Sequence, residues 1–191
     1  AVGIVLGRFE PGVDGALGSG IVTDEDGGTR RLFAPEVEAA LRGLADDDGI
    51  MVLDGAHTDD LASKVTEALD LMLGEKGTRE VVSEIGDDLS RFLEGEFFTT
   101  LLSTKKWYRK RPVYWLLQSP KKTFGLYLFH ERITPDTLVL VQRRYVDPKL
   151  AGLGHRIDDL RQQRDAAEGR EQKRLQKELD AAMAEQDDVV E

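Results

Sequence analysis

The apolar spacing near the C-terminus fits two helices better than one long one. Leu153, Ile157, Leu160 and Ala167 step by four, three and seven residues, and Leu175, Leu179, Ala182 and Met183 follow. Between Ala167 and Leu175 the step is eight, so the seam slips by one residue at Glu168-Gly169. Two antiparallel helices joined there keep both stripes facing each other, whereas a straight rod would not. A charged helical hairpin is therefore expected over 148–191. Its tail, Asp187-Asp188-Val189-Val190-Glu191, is expected to fray or to continue into further sequence.

A second fixed point is Pro112, which stops any helix arriving through Arg111. Beyond it, Val113 to Leu117 and Phe124 to Phe129 are rich in aromatic and aliphatic residues, with Ser119-Pro120-Lys121-Lys122 between them. That pattern reads as a β-hairpin. Around it gather Lys105, Lys106, Trp107, Arg109, Lys110, Arg111, Tyr114, Trp115, Lys121 and Lys122, with no carboxylate from Lys105 to Lys122. Cations neutralise phosphates and exposed rings stack on bases, so these ten are the candidate nucleic-acid-binding residues. The plainer reading is a pair of core strands flanked by solvated charges. Tyr114 and Trp115 point to opposite faces of a strand, one toward a core and one available for contact. Sequence does not choose between them.

Charge is divided along the chain. The net charge of −10 over 191 residues splits into −14 for residues 1–100, +8 for 101–150 and −4 for 151–191. A polyanion meets the local field within a Debye length of about 8–10 Å, not the total. The absence of cysteine excludes a disulfide scaffold or thiolate metal site and fits a reducing cytoplasm. No apolar run approaches the ~20 residues that cross a bilayer, so no membrane partner is expected. The N-terminus has no basic segment of a signal peptide and opens directly in an apolar run, as if cut from something longer.

The acidic half reads as short elements. Val2 to Phe9 is apolar, helix or strand, with Gly3 and Gly7 on one face if helical. Ile21-Val22 suggests a short strand before a turn at Asp24-Glu25-Asp26-Gly27-Gly28, and Pro35 to Leu44 a short helix. Ile50 to Leu53 reads as a buried strand. Thr58 is the expected cap of a helix whose face is Leu61, Val65, Ala68, Leu69 and Met72, ended by Gly74 or Gly77. A second helix is expected from Thr78, striped by Val82, Ile85, Leu89, Phe92, Leu93 and Phe97. Near the other end, Thr134-Pro135 should start a helix through Leu138, Val141 and Tyr145, with a kink or restart at Pro148.

The fold class expected is therefore α+β, helix-rich with short strands and a β-hairpin. It comprises a mixed domain over 1–147, holding the basic hairpin at 105–130, followed by the helical hairpin at 148–191. Catalytic chemistry is missing. His57, His130 and His155 are isolated, and no Ser-His-Asp or Cys-His pairing has support. Gly15 to Gly20 lacks the order of a phosphate loop, and the loop opened by Asp24 has Pro35 where a calcium loop needs Glu. Asp46-Asp47-Asp48 could take a divalent ion, but acidic triplets are usually just solvated. No catalytic or metal residue is assigned.

Lys110-Arg111-Pro112-Val113-Tyr114-Trp115-Leu116 resembles a stretch of the PglX-type adenine-specific DNA methyltransferases of BREX phage-defence systems, also described as methylase subunits of type II restriction enzymes. The likeness continues through Ser119, Lys121-Lys122, Phe124, His130-Glu131-Arg132 and Asp136-Thr137-Leu138. Upstream, Val2-Gly3-Ile4-Val5-Leu6-Gly7-Arg8-Phe9 is similar to the family's Gly-Arg-Tyr/Phe stretch. Glu131 within His-Arg and Pro120 in the turn depart from the pattern. The family's Asn-Pro-Pro-Tyr motif and glycine-rich S-adenosylmethionine loop are absent. The resemblance implies that methyl transfer and its cofactor belong to a preceding domain of a parent protein. This region would grip or read double-stranded DNA and pack on that catalytic domain, with other defence-system proteins as further candidate partners. The rival is a protein–protein interaction module that uses the helical hairpin while the basic segment pairs with the acidic half.

Overall fold

The computed structural model describes residues 1–8, 10–11, 21–23, 29–31, 33–101 and 113–191. The fold is α+β, with a small three-stranded antiparallel sheet and a C-terminal helical pair. Two compact units are present: 1–115 with 129–132, and 116–128 with 133–191.

The first unit begins with helix α1 (Val2–Val5), so the apolar N-terminal run is helical, and Gly7 ends it at φ +63°. Strands β1 (Ile21–Thr23) and β2 (Thr29–Arg31) pair antiparallel, Ile21 opposite Arg31. The turn expected between them lies outside the described residues. Helix α2 (Pro35–Gly43) starts with proline at its first position, where a missing N–H costs nothing. Strand β3 (Ile50–Val52) is buried throughout.

Helix α3 (Leu61–Glu84) starts two residues later than expected, because Asp60 and not Thr58 caps it. One Asp60 oxygen accepts from Ser63 N–H at 2.8 Å while the other accepts from Asp54 N–H at 2.9 Å. The two oxygens of one carboxylate thus cap the helix and tie back the chain leaving β3 together. Leu61, Val65 and Ala68 are buried on its inner face. Gly74 breaks the helix at φ 72°, ψ 164°, a conformation essentially reserved for glycine. The second expected helix does not run on to Phe97. Gly86 (φ 91°) and Asp87 (φ 61°) stop it, and Asp88 caps a new turn, α4 (Leu89–Arg91), which widens into a π-helix over Phe92–Leu101.

Strands β4 (Tyr114–Gln118) and β5 (Gly125–Phe129) form the expected hairpin, and the sheet order is β3-β5-β4. His130 N–H donates to Val113 O at 3.1 Å and Ser119 N–H to Phe124 O at 3.0 Å. These bonds fix the register without a bulge, so Trp115 and Leu117 also turn their main chain toward β5. The main-chain groups of Leu116 and Gln118 then point to the open side.

After a 3₁₀ turn (His130–Arg132) of the first unit, the chain enters α5 (Thr137–Leu140) of the second. That helix starts later than Thr134-Pro135 suggests, because Thr137 Oγ1 accepts from Thr134 N–H at 2.8 Å and holds a turn there. Leu138 is 67% exposed and not part of a buried stripe; Val141 and Tyr145 are buried. A π-helical stretch (Val141–Val146) precedes α6 (Asp147–Ala166), which carries Pro148 in its first turn. The restart follows from the missing N–H and steric bulk of proline. Gly169, at φ +63°, turns the chain into α7 (Gly169–Val190). Ile157, Leu160, Leu175, Leu179 and Ala182 pack together between α6 and α7, with Ala167 against them. Met183, expected in that layer, is 40% exposed. The tail is helical to Val190 instead of frayed. Among the described residues no helix is long and apolar enough to cross a membrane.

Candidate nucleic-acid interface

Six of the ten candidate residues, Lys105, Lys106, Trp107, Arg109, Lys110 and Arg111, lie outside the described residues. The other four sit on the hairpin. Tyr114 is the inward member of the aromatic pair. Its ring meets Phe98 edge-on at 5.3 Å and Phe129 at 5.5 Å, within a cluster that Phe97 extends. Trp115 turns the other way and is 54% exposed. Lys121 and Lys122 are exposed in the turn, and neither makes an ion pair among the described residues.

The turn that carries these lysines is held from a distance. Asp188, near the end of α7, has no exposed surface, and its carboxylate accepts from Ser119 Oγ (2.6 Å), Lys121 N–H (2.6 Å), Thr123 N–H (3.2 Å) and Thr123 Oγ1. Burial alone would raise this carboxyl's pKa. The hydrogen bonds of Ser119, Thr123 and the two amides outweigh it and hold the group well below the usual carboxylate range. One helical turn back, Glu185 pairs with Lys149 at 2.7 Å, and the Lys149 ammonium lies 5.8 Å from the Phe124 ring centroid. Lys122 adopts φ +62°, a left-handed conformation that a side chain tolerates only when its surroundings impose it. The Asp188 bonds on either side supply that constraint. Sequence reasoning missed Asp188. An Asp-Asp pair at a helix end has no pattern that distinguishes a buried anchor from a solvated tail.

A second constellation belongs to the first unit. It joins stretches far apart in sequence, Gly7-Arg8 and His130-Glu131-Arg132. The Arg8 guanidinium lies 4.4 Å over the Phe129 ring centroid and 3.9 Å from Glu131. His130 holds Val113 O twice, through its main-chain N–H and through Nδ1 at 3.0 Å. A carbonyl only accepts, so Nδ1 carries the proton. Arg132 donates to Asp46 O at 3.0 Å and lies 3.5 Å from its carboxylate. These contacts tie the start of the chain to the far end of the hairpin.

The acidic triplet forms a turn. Asp46 Oδ2 accepts from Gly49 N–H at 2.7 Å, Asp48 Oδ1 accepts from Ile50 N–H at 2.9 Å, and Asp46 N–H donates to Val5 O at 2.7 Å. Ligand oxygens of Asp46, Asp47 and Asp48 come within 4.8 Å of one another, and the Asp46 and Asp48 carboxylates already accept main-chain N–H groups of the turn. Burial pushes the Asp46 carboxyl up to about 6; the Gly49 amide and Arg132 oppose the shift, and Asp48 adds to it. Gly49 is at φ +81°, and a Cβ there would fall 2.8 Å from Arg132 Cβ.

No family model matches the chain. Comparison with curated proteins finds 35% identity over 154 residues to the adenine-specific methyltransferase BrxX of Escherichia coli O9:H4 (strain HS). The match covers 72% of this chain but 13% of that relative, so the chain corresponds to a small part of such a protein. By sequence, this chain belongs to the BREX adenine-specific methyltransferase family.

Proposed function

We propose that this chain is a DNA-binding accessory region of a PglX-type adenine-specific methyltransferase, working in the cytoplasm within BREX phage defence and not catalytic by itself. The observation that carries this reading is the 35% identity to an adenine-specific methyltransferase in a chain that contains no asparagine. It therefore cannot hold an Asn-Pro-Pro-Tyr motif. Methyl transfer and S-adenosylmethionine belong, on this reading, to another domain of the same polypeptide.

An enzyme that modifies adenine must take the base out of the stack, and a second body that grips the duplex offsets the cost of unstacking. The carboxylate-free stretch from Lys105 to Lys122 has the composition for that grip, and the exposure of Trp115, Lys121 and Lys122 supports it. Lysines and arginines here would position phosphates without specifying sequence. The hairpin turn would contact the backbone with little reorganisation, because Asp188 already holds it.

Duplex binding measured against salt tests the reading. If Lys105, Lys106, Arg109, Lys110 and Arg111 meet phosphates, log K falls with log salt at a slope of about −4 to −5. Replacing Lys110→Ala and Arg111→Ala together makes the slope shallower by about 2. Undetectable binding at low salt, or a slope indifferent to those substitutions, rejects DNA binding. Adding S-adenosylmethionine to this chain with duplex DNA yields no methylation; turnover would reject the non-catalytic assignment.

A further inference from the structure

Among the described residues strand β4 is last in the sheet, and Leu116 and Gln118 turn their main-chain groups to the side on which no described strand lies. Its side chains are equally uncovered. Leu116 is 47% exposed on one face and Leu117 43% exposed on the other, while the neighbouring residues of β5, Leu126 to Phe129, are all buried. Edge strands are normally guarded by charge, by an interior proline or by a bulge. This one has none: no charged residue occurs from Val113 to Pro120, Pro120 lies beyond the strand, and the register is regular. An open, apolar, uncharged edge is a template for another strand.

We propose that the open edge of β4 at Leu116–Gln118 seats an extended apolar segment of the same polypeptide from outside these 191 residues. The length of chain outside the structure favours that occupant, since this chain matches only 13% of its methyltransferase relative. A tethered segment also meets the edge at high effective concentration, which a free partner does not. Nucleic acid is the wrong chemistry for this strand, because nothing from Leu116 to Gln118 can neutralise a phosphate. The inference rests on family membership and is independent of DNA binding by the basic segment.

The test uses the full-length methyltransferase. Hydrogen exchange needs no substitution: the Leu116 and Gln118 amides should exchange at least about tenfold more slowly there than in this 191-residue chain. A photo-crosslinking residue replacing exposed Leu117 should capture a peptide of the same polypeptide outside the 191 residues. Crosslinks to a second copy, crosslinks to DNA, or equal exchange in both proteins would each overturn the proposal. A DNA crosslink would do so while favouring the DNA-binding reading, and loss of salt-dependent DNA binding would leave the β4 result untouched.

Discussion

Ser119 Oγ donates to Asp188 Oδ2 at 2.6 Å across 69 residues of sequence. The contact fastens the turn of a β-hairpin to the last turn of a helical hairpin. The same carboxylate also takes both donors of Thr123 and the Lys121 amide, leaving the turn little freedom.

Asp188→Asn should loosen this turn. An amide keeps one acceptor oxygen but turns its NH2 toward a main-chain N–H, Lys121 or Thr123, that can only donate, so Tm should fall by roughly 5 °C or more. The folded-state pKa of Asp188 is depressed, so its stabilisation is present above the ordinary carboxylate range and disappears as pH falls below about 4. Urea unfolding at pH 7 and pH 3 should show the gap between wild type and variant closing in acid.

Asp46 has the opposite sign. Its pKa is raised to about 6, so keeping it charged in the fold costs stability above that pH, and the cost disappears as pH falls toward 4. Unfolding free energy should rise by on the order of 2 kcal/mol from this group between pH 7 and pH 4. Asp46→Asn should flatten that rise while keeping an acceptor for the Gly49 amide.

Gly49→Ala should destabilise the first unit by about 2–4 kcal/mol. A side chain there meets both an unfavourable positive φ and the Arg132 stem at 2.8 Å. Adding Arg132→Gly, which removes the clashing Cβ as well as the stem, should recover part of the loss if the clash contributes, and none if only the backbone conformation matters.

Leu179→Ala should cost about 2–4 kcal/mol and Met183→Ala less than about 1, because Leu179 is enclosed between α6 and α7 and Met183 is not. Thermal unfolding of the two variants side by side checks the register of the helical pair.

Lys121→Ala with Lys122→Ala should make the salt slope of duplex binding shallower by up to about 2, with a Tm close to wild type. Both ammonium groups are exposed and the Asp188 bonds use only main-chain and hydroxyl donors of the turn. A large fall in Tm would mean that the side chains support the fold instead.

Local chemistry made much of this fold legible. The one-residue slip at Glu168-Gly169 predicted the helical hairpin, and Ser119 to Lys122 between two apolar runs predicted the β-hairpin. What escaped the sequence depended on tertiary partners. Asp60 displaced Thr58 as a cap because it had a second donor to satisfy at Asp54, and Met183 lost its place because Leu175, Leu179 and Ala182 form the seam and the next residue along turns away from it. Alternation said that Tyr114 and Trp115 face apart, but only the ring cluster of Phe98 and Phe129 decides which is enclosed. Of the candidate site, the turn lysines were visible as charges, while their anchor was hidden in an acidic tail.

The wide helical stretch over Val141–Val146 has a consequence for how this chain tolerates length changes. A π-turn accommodates one more residue than an α-turn while leaving the flanking helices in phase. Deleting exposed Gln142 should convert the stretch to ordinary α-helix and leave the buried faces before and after it aligned, whereas the same deletion within Asp147–Ala166 would rotate Leu153 and Ile157 out of phase with the residues they pack against. A natural one-residue gap at this point in a related sequence would therefore signal a structurally silent shortening.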